Sequence, residues 1–115
     1  MNLKEKVQAL DQMILDGQIL PVVDQYFHRD VQTQEGNDAP VVGKAAHRQK
    51  LEHFFANIGA VNGIQLHSQA IGEDVTMSEF TFDLTQKDGN KILWNEVLRR
   101  KWQDGQVIHE RYYTA

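Results

Sequence analysis

Apolar residues in the first half of the chain recur at the spacing of α-helices. The first series consists of Leu3, Val7, Leu10 and Ile14. This spacing of three to four residues predicts an amphipathic helix, which Asn2 would cap and Gly17 would end. Pro21 suits the first turn of a second, short helix. A third series follows Gly43 and predicts a third helix. That series consists of Leu51, Phe54, Phe55 and Ile58, and Gly59 and Gly63 bracket its predicted end.

The second half of the chain changes to a period of two. Apolar and polar residues alternate along segments 64–71, 79–84, 92–102 and 107–113, which places successive side chains on opposite faces of a sheet. Segments 87–90 and 103–106 each contain Asp-Gly, a hairpin signal because glycine accepts a positive φ. A further short strand is predicted at 30–35, before the turn-rich segment 36–40. The pattern predicts a single α+β domain, residues 1–115, with three helices packed on an antiparallel meander.

One face of the predicted sheet is too apolar to face water and is expected to cover the helices. It carries Phe80, Phe82, Ile92, Trp94, Leu98, Trp102, Ile108 and Tyr112. Three ionisable residues, Glu96, Arg100 and Glu110, share this face. If each hairpin loop has three residues, the first hairpin places Phe82 opposite Trp94 and Phe80 opposite Glu96. The second hairpin then places Glu96 opposite Tyr112 and Leu98 opposite Glu110. A second loop that differs by one register step places Arg100 opposite Glu110 instead.

These charges have two interpretations. Burial among aromatic rings raises the pKa of a carboxyl group, whereas an adjacent arginine lowers it, so two carboxylates in different surroundings can divide proton-donor and proton-acceptor roles. On the first interpretation, Glu96, Glu110 and Tyr112 line an aromatic-walled pocket for a small organic molecule. On the second, Arg100 pairs with Glu110 and Tyr112 hydrogen-bonds Glu96 for stability alone, since ion-pair networks also shift pKa values.

Composition narrows the possible classes of function. The absence of cysteine excludes a disulfide scaffold, a cysteine-ligated zinc site and a thiol nucleophile. A formal charge of −4 argues against a nucleic-acid partner, and no apolar run approaches the roughly 20 residues of a membrane helix. The five histidines lack metal-ligand spacing, and no glycine-rich phosphate loop is present. We therefore expect no metal, no cofactor and no membrane partner. The charged N-terminus predicts a cytoplasmic location.

The order of these elements resembles the SnoaL-like branch of the nuclear transport factor 2-like superfamily. The resemblance covers nearly the whole chain and depends on the glycine in segment 42–46, which opens the third helix, and on the Trp-x-Asp-Gly-x-hydrophobic hairpin that begins at Trp102. It implies a cystatin-like cone, in which the helices lie on the concave face of a curved, mostly antiparallel sheet. It also implies a pocket in that face and a homodimer. Ketosteroid isomerases, polyketide cyclases and dehydratases belong to this superfamily.

Two catalytic positions of the ketosteroid isomerases are not matched in this chain. The resemblance, counted without a gap from the proline and glycine of the following loop, places their carboxylate base at Gln34. The buried acid that stabilises the enolate in those enzymes falls at Leu98. Glu35 is next to Gln34 and is expected to point to the opposite face. Steroid isomerisation by that mechanism is therefore disfavoured.

The remaining candidates would have to supply any acid–base chemistry of isomerase, dehydratase or cyclase type. Glu96 or Glu110 would transfer the proton, and Tyr112, Tyr26 or His47 would donate a hydrogen bond. His47 lies on the apolar stripe of the third helix, where it is either an acid–base group or a core histidine bonded to a backbone carbonyl. The other residues expected around the pocket are Tyr26, His28, Gln34, Phe54, Phe80, Phe82, Trp94, Leu98, Arg100 and Trp102.

A non-enzymatic alternative stays open at this point. The domain could be a binding or dimerisation module whose pocket is filled by its own side chains. The apolar residues predicted on the outer face, which would support a homodimer, are Ile71, Val97, Val107 and Tyr113. Pocket volume separates the two ideas: a cavity above roughly 300 Å³ lined by Glu96 favours a ligand, and a filled one favours the module.

Overall fold

The computed structural model describes residues 1–115 and contains three helices and six strands. The elements are α1 (Leu3–Leu15), α2 (Ile19–Tyr26), β1 (Phe27–Glu35), β2 (Val41–Val42), α3 (Lys44–Ala56), β3 (Ile58–Ile71), β4 (Val75–Gln86), β5 (Lys91–Gln103) and β6 (Gln106–Thr114). The strands form one sheet in the order β2-β1-β6-β5-β4-β3. All neighbouring strands are antiparallel except β1 and β6, which are parallel. The predicted α+β class, with three helices on a curved, mostly antiparallel sheet, is confirmed.

Local sequence sets the ends of α1. The Asn2 side chain accepts a hydrogen bond from the Glu5 backbone N–H at 2.9 Å, and the Glu5 carboxylate accepts one from the Asn2 N–H at 3.3 Å. This reciprocal capping box satisfies two N–H groups of the first turn. Gly17 follows α1 with a φ of +78°, a conformation that favours glycine. The predicted cap and end of α1 are confirmed. None of the three helices is both long enough and apolar enough to span a membrane.

The predicted end of the third helix is wrong. Helix α3 ends at Ala56, and Ile58 already begins the pairing of β3 with β4. Gly59 and Gly63 are strand residues beside two irregularities in that pairing, where glycine is common. A Cβ atom on Gly59 would lie 3.3 Å from the Cα of Lys87. These glycines therefore belong to a bent strand and not to a helix terminus.

The pairing of the central strands agrees with one of the two predicted registers. Between β4 and β5, Phe80 lies opposite Glu96 and Phe82 opposite Trp94, as predicted. Between β5 and β6, Glu110 lies opposite Arg100. The register with Leu98 opposite Glu110 is therefore wrong, and the alternative register is correct.

The β5–β6 turn and the bulge that follows it together set this register. Gln103 and Gln106 pair across a turn of only two residues, Asp104 and Gly105. Both turn residues have a positive φ, 51° for Asp104 and 78° for Gly105, as a type I′ hairpin turn requires. The three-residue loop assumed from the sequence is one residue too long.

A bulge after this turn changes which face β6 presents. Trp102 pairs with Val107 and Lys101 pairs with His109, so Ile108 is the extra residue of β6. The bulge turns Val107 into the core, where its side chain is fully buried. The prediction that Val107 lies on the outer face is wrong. The same prediction is wrong for Ile71, which lies opposite the fully buried Thr76.

Apolar side chains from the helices and from the concave face of the sheet form one buried cluster. It consists of Val7, Leu10, Ile14, Val22, Val23, Tyr26, Phe27, Val31, Phe80, Leu98, Trp102 and Val107. Tyr26 meets Trp102 edge to face with ring centroids 6.3 Å apart, and the Trp102 Nε1–H donates to the Thr76 hydroxyl at 2.9 Å. We call the interior around Asp11, Phe80, Arg100 and Trp102 the filled half.

The convex face of the sheet is mostly polar. His67 Nε2 lies 2.7 Å from the Thr81 hydroxyl, which donates to the Asn95 side-chain oxygen at 2.7 Å. Beside this row, the Ser68 hydroxyl donates to Glu79 at 2.9 Å. Side chains of β3, β4 and β5 are therefore connected across the outer surface by hydrogen bonds that compete with water.

Candidate functional site

A cavity of about 390 Å³ lies between the concave face of the sheet and the helices. Its lining is mostly hydrophobic and comes from the end of α1, from α2 and α3, from strand β1 and from strands β3 to β6. The side chains with polar groups in the lining are Glu35, His47, Lys50, Glu96, Glu110 and Tyr112. We call this part of the interior, around His47, Phe54, Trp94 and Glu96, the cavity half. An apolar cavity with a few converging polar groups is typical of a small-molecule site.

Eight of the fourteen candidate residues border this cavity. They are His47, Phe54, Phe82, Trp94, Leu98, Glu96, Glu110 and Tyr112. Strand alternation brings Trp94, Glu96 and Leu98 to one face of β5. Helix α3 supplies Phe54, whose ring stacks on that of Trp94 with centroids 5.2 Å apart. Trp94 retains 39% of its exposure, so this aromatic pair stands at the rim of the cavity.

The other six candidate residues lie elsewhere. Phe80, Arg100, Trp102 and Tyr26 are on the inner side but pack in the filled half. Phe80 is fully buried and stacks on the cavity residue Phe82 with centroids 5.4 Å apart. The sequence predicted correctly that these residues lie on the inner face of the sheet. It did not predict how far along that face the cavity extends.

His28 and Gln34 are bound to neighbouring loop and strand atoms. The Nδ1 atom of His28 accepts a hydrogen bond from the Asp30 backbone N–H at 2.9 Å. The Nε2 group of Gln34 donates to the Asp38 carbonyl at 3.0 Å. Neither borders the cavity, so both were wrong as pocket-lining candidates.

Glu35, and not Gln34, is the residue at the end of β1 that borders the cavity. Along β1, Val31 and Thr33 are buried on the concave side, and the same alternation brings Glu35 to the cavity. The expectation that Glu35 points to the opposite face is wrong, because counting back from a loop does not establish which face of a strand a residue occupies. The Glu35 carboxylate lies 3.4 Å from the Lys50 Nζ at the exposed rim.

Glu96 is the carboxyl group of the cavity that has no partner. No protein group donates a hydrogen bond to it or forms an ion pair with it. Burial, together with the nearby charges of Glu110 and Glu35, raises the pKa of Glu96 from 4.5 to about 7. At neutral pH this carboxyl group therefore exists in both protonation states, which is the condition that favours general acid–base exchange.

Glu110, in contrast, is held on both oxygens. Its Oε2 accepts a hydrogen bond from the Arg100 Nε at 2.8 Å, and its Oε1 accepts one from the Tyr112 hydroxyl at 2.5 Å. Burial and the Glu110 charge raise the pKa of the Tyr112 hydroxyl well above its usual 10.0. The Tyr112 proton is therefore committed to Glu110. The predicted hydrogen bond from Tyr112 to Glu96 is wrong.

Asp11 completes this network and was missed by the sequence analysis. Its side chain is fully buried, with Oδ1 2.9 Å from the Arg100 Nη1 and Oδ2 accepting hydrogen bonds from Ser78 at 2.5 Å and Gln69 at 2.8 Å. The position carried a signal, because Asp11 follows Val7 by four residues and falls on the apolar stripe of α1. A buried guanidinium thus bridges two carboxylates, which it orients as well as neutralises.

His47 is buried without the backbone hydrogen bond that was the structural alternative. Its Nδ1 atom has no partner, and its ring stacks on Phe27 with centroids 5.6 Å apart and planes 12° apart. Burial lowers the pKa of His47 below its usual 6.5. The cavity wall therefore carries a neutral imidazole with an unused polar atom.

Nothing in the arrangement resembles a metal centre. No three His, Asp or Glu side chains are grouped closely enough to hold a metal ion. The polar side chains that line the cavity can exchange protons and form hydrogen bonds, and the remaining ones offer apolar contact.

Comparison with known proteins agrees with this architecture. The SnoaL-like domain family matches residues 1–114. A protein from Mesorhizobium loti, provisionally described as a SnoaL-like polyketide cyclase, has a similar structure with a TM-score of 0.87 and 24% identity, over 98% of this chain and 99% of that one. A nuclear transport factor 2-like protein of unknown function from Burkholderia pseudomallei gives a TM-score of 0.80 and 12% identity, over 97% and 89% of the two chains.

A third similar structure contains a small molecule. TerC, co-crystallised with polyporic acid, gives a TM-score of 0.76 and 16% identity, over 96% of this chain and 89% of that one. No functionally curated protein matches the sequence. At these identities the structural similarities establish the fold, and the family match establishes membership. The chain belongs to the SnoaL-like family and has the nuclear transport factor 2-like fold.

Proposed function

We propose that the cavity binds a small, largely apolar organic molecule and that Glu96 exchanges a proton with it. The observation that carries this proposal is the unpartnered Glu96 carboxyl group, with a pKa of about 7, in the wall of a mostly hydrophobic cavity. A group that titrates near neutrality can both accept and return a proton. The reaction class that such a group supports is isomerisation, dehydration or cyclisation through proton transfer.

The other polar groups would have supporting roles. Glu110 is bound on both oxygens and Tyr112 donates its proton to Glu110, so neither is free to transfer a proton to a ligand. The Tyr112 oxygen keeps lone pairs that can accept a hydrogen bond. His47 borders the cavity and is neutral, so it is a further group that could hydrogen-bond a ligand. Tyr26 lies in the filled half and has no part in this scheme.

The volume of the cavity favours this proposal over a filled, non-enzymatic module. A volume of about 390 Å³ is within the range of roughly 300–1,000 Å³ that is typical of ligand sites. The similar TerC structure, which was obtained with polyporic acid, adds support because it shows that this fold can accompany a small organic ligand.

Proton transfer can be tested with a simple apolar ketone. We expect the protein to accelerate the exchange of carbon-bound hydrogen of α-tetralone for deuterium in D₂O, measured by mass spectrometry. Glu96→Gln should reduce exchange to the rate in buffer, because the amide cannot accept the proton. Glu79→Gln, which removes the same charge from the convex face, should leave the exchange unchanged. Exchange at the buffer rate in the wild type, with α-tetralone bound by NMR, would instead favour a binding module.

The homodimer implied by the family resemblance stays a prediction. Val97 and Tyr113 are neighbours across β5 and β6 on the outer face, and Met77 and Leu93 are exposed. Exposed apolar groups on this otherwise mostly polar convex face support association through it. A mass of 13.2 kDa by light scattering in dilute solution would contradict the dimer.

A further inference from the structure

Free cations are absent from the cavity. Lys50 is the one lining residue with a positive charge at neutral pH, and its Nζ is 3.4 Å from the Glu35 carboxylate at the rim. His47 is neutral because burial lowers its pKa below 6.5. Arg100 lies behind Glu110, is bound to two carboxylates and does not border the cavity. An anionic ligand would therefore find no unpaired positive group to bind.

Negative charge is in excess around the same space. The paired charges in and behind the cavity wall are Asp11, Glu35, Glu110, Arg100 and Lys50. Three carboxylates thus face two cations before Glu96 is counted. Glu96 is half-buried, so when it ionises its charge is partly desolvated, and it has no protein partner. Desolvation without a partner is costly for a carboxylate, and a cation placed beside it would remove that cost.

Aromatic rings flank the unpartnered carboxyl group. Trp94 is two residues from Glu96 on the same face of β5, a Cα separation of about 7 Å in an extended strand. Phe54 stacks on Trp94 with centroids 5.2 Å apart, and Phe82 lies opposite Trp94 on β4. The faces of such rings attract cations within about 6 Å of the centroid. The surroundings of Glu96 thus combine a negative charge with π-faces.

We propose that the ligand of this cavity is an apolar organic cation, a hydrocarbon or aromatic body that carries a protonated amine. The amine would pair with Glu96 beside Trp94, and the apolar body would lie against Phe54 and the hydrophobic lining. This inference rests on the proposed function, because it assigns a charge to the ligand of the same cavity. It also predicts that carboxylate and phosphate compounds are excluded, since they would add a second desolvated negative charge.

Three matched compounds test the charge preference directly. Phenethylamine, phenethyl alcohol and hydrocinnamate share the same phenylethyl group and differ in a cationic, neutral or anionic end. We expect NMR titration at about pH 8, where Glu96 is ionised, to show the amine binding at least about tenfold more tightly than the alcohol. Hydrocinnamate should show no binding. Glu96→Gln should remove the preference for the amine, so that the amine and the alcohol bind the variant with equal affinity.

The outcomes separate this inference from the function on which it rests. Equal affinities for the amine and the alcohol, or tighter binding of hydrocinnamate, would overturn the charge preference and leave the apolar cavity intact. Binding of none of the three compounds would contradict both proposals. Glu79→Gln is the matched control, because it removes one negative charge from the convex face. If it weakens amine binding as much as Glu96→Gln does, long-range charge and not the contact at Glu96 is responsible.

Discussion

The filled half and the cavity half of the interior treat their ionisable side chains in opposite ways. In the filled half, the Arg100 guanidinium is fully buried and binds Asp11 and Glu110 at 2.9 Å and 2.8 Å, and only its Nη2 atom lacks a hydrogen-bond partner. In the cavity half, Glu96 and the Nδ1 atom of His47 have no partner at all. Arg100 and Glu96 nevertheless lie on the same face of β5, with Leu98 between them.

This difference distinguishes structural charges from candidate functional ones. A buried ion that is paired with opposite charges helps to specify one packing arrangement, and removing one member of the pair leaves the other charge buried without a counter-ion. A desolvated group with no partner contributes nothing to folding and is costly unless a ligand completes it. Glu110 and Tyr112 belong to both halves. Glu110 pairs with Arg100 of the filled half, and both residues border the cavity.

The largest effect is expected where a buried charge loses its partner. Arg100→Met should lower the free energy of unfolding by about 3–5 kcal/mol, because Asp11 and Glu110 then remain buried without a cation. Urea denaturation measures this loss. Arg99→Met is the matched control: Arg99 is the adjacent residue on the other face, partly exposed, with one long contact of 3.4 Å to His109. Equal effects of the two substitutions would show that the network contributes nothing beyond ordinary packing.

A smaller effect of opposite sign is expected at Glu96. Its pKa is 4.5 when unperturbed and about 7 in the folded protein, so the unfolded state releases its proton first as the pH rises. The folded state therefore loses stability progressively between about pH 4.5 and 7. Glu96→Gln should stabilise the protein above about pH 7 by at most about 3 kcal/mol, at about 1.4 kcal/mol for each tenfold change in acid constant.

Denaturation of Glu96→Gln at several pH values measures this linkage. The stabilisation should disappear near pH 4, because Glu96 is then protonated in both states. Glu79→Gln should show no comparable gain at high pH. If Glu96→Gln destabilises the protein at every pH, then Glu96 has a partner after all and the contrast between the two halves is lost.

The sequence predicted the face of the site better than its depth. Alternation along β5 was sufficient to place Trp94, Glu96 and Leu98 on the concave side, and the β4–β5 register followed from the hairpin. The β5–β6 register stayed open, since turns of two and three residues share the same Asp-Gly signal. The bulge at Ile108, which turns Val107 inward, cannot be predicted from a period-two pattern.

Contacts between distant parts of the chain were the least predictable. Asp11 and Arg100 are 89 residues apart, and only the place of Asp11 on the apolar stripe of α1 indicated burial. Whether Gln34 or Glu35 borders the cavity depends on which face of β1 turns inward. That orientation is set by the pairing of β1 with β6 and not by the local sequence. The size of the cavity depends on how far α1 and α2 extend along the sheet. The hydrophobic periodicity of the sequence does not specify that distance.

The titration of Glu96 tests the contrast between the two halves most directly. Carbon-13 NMR of the glutamate side-chain carboxyl groups, with Glu96→Gln used to assign the resonance, reports its midpoint. We predict a midpoint of about 7. A Glu96 resonance that titrates near 4.5 would show a hydrated or hydrogen-bonded carboxylate, and the proposal of a proton-exchanging group in an apolar cavity would be contradicted.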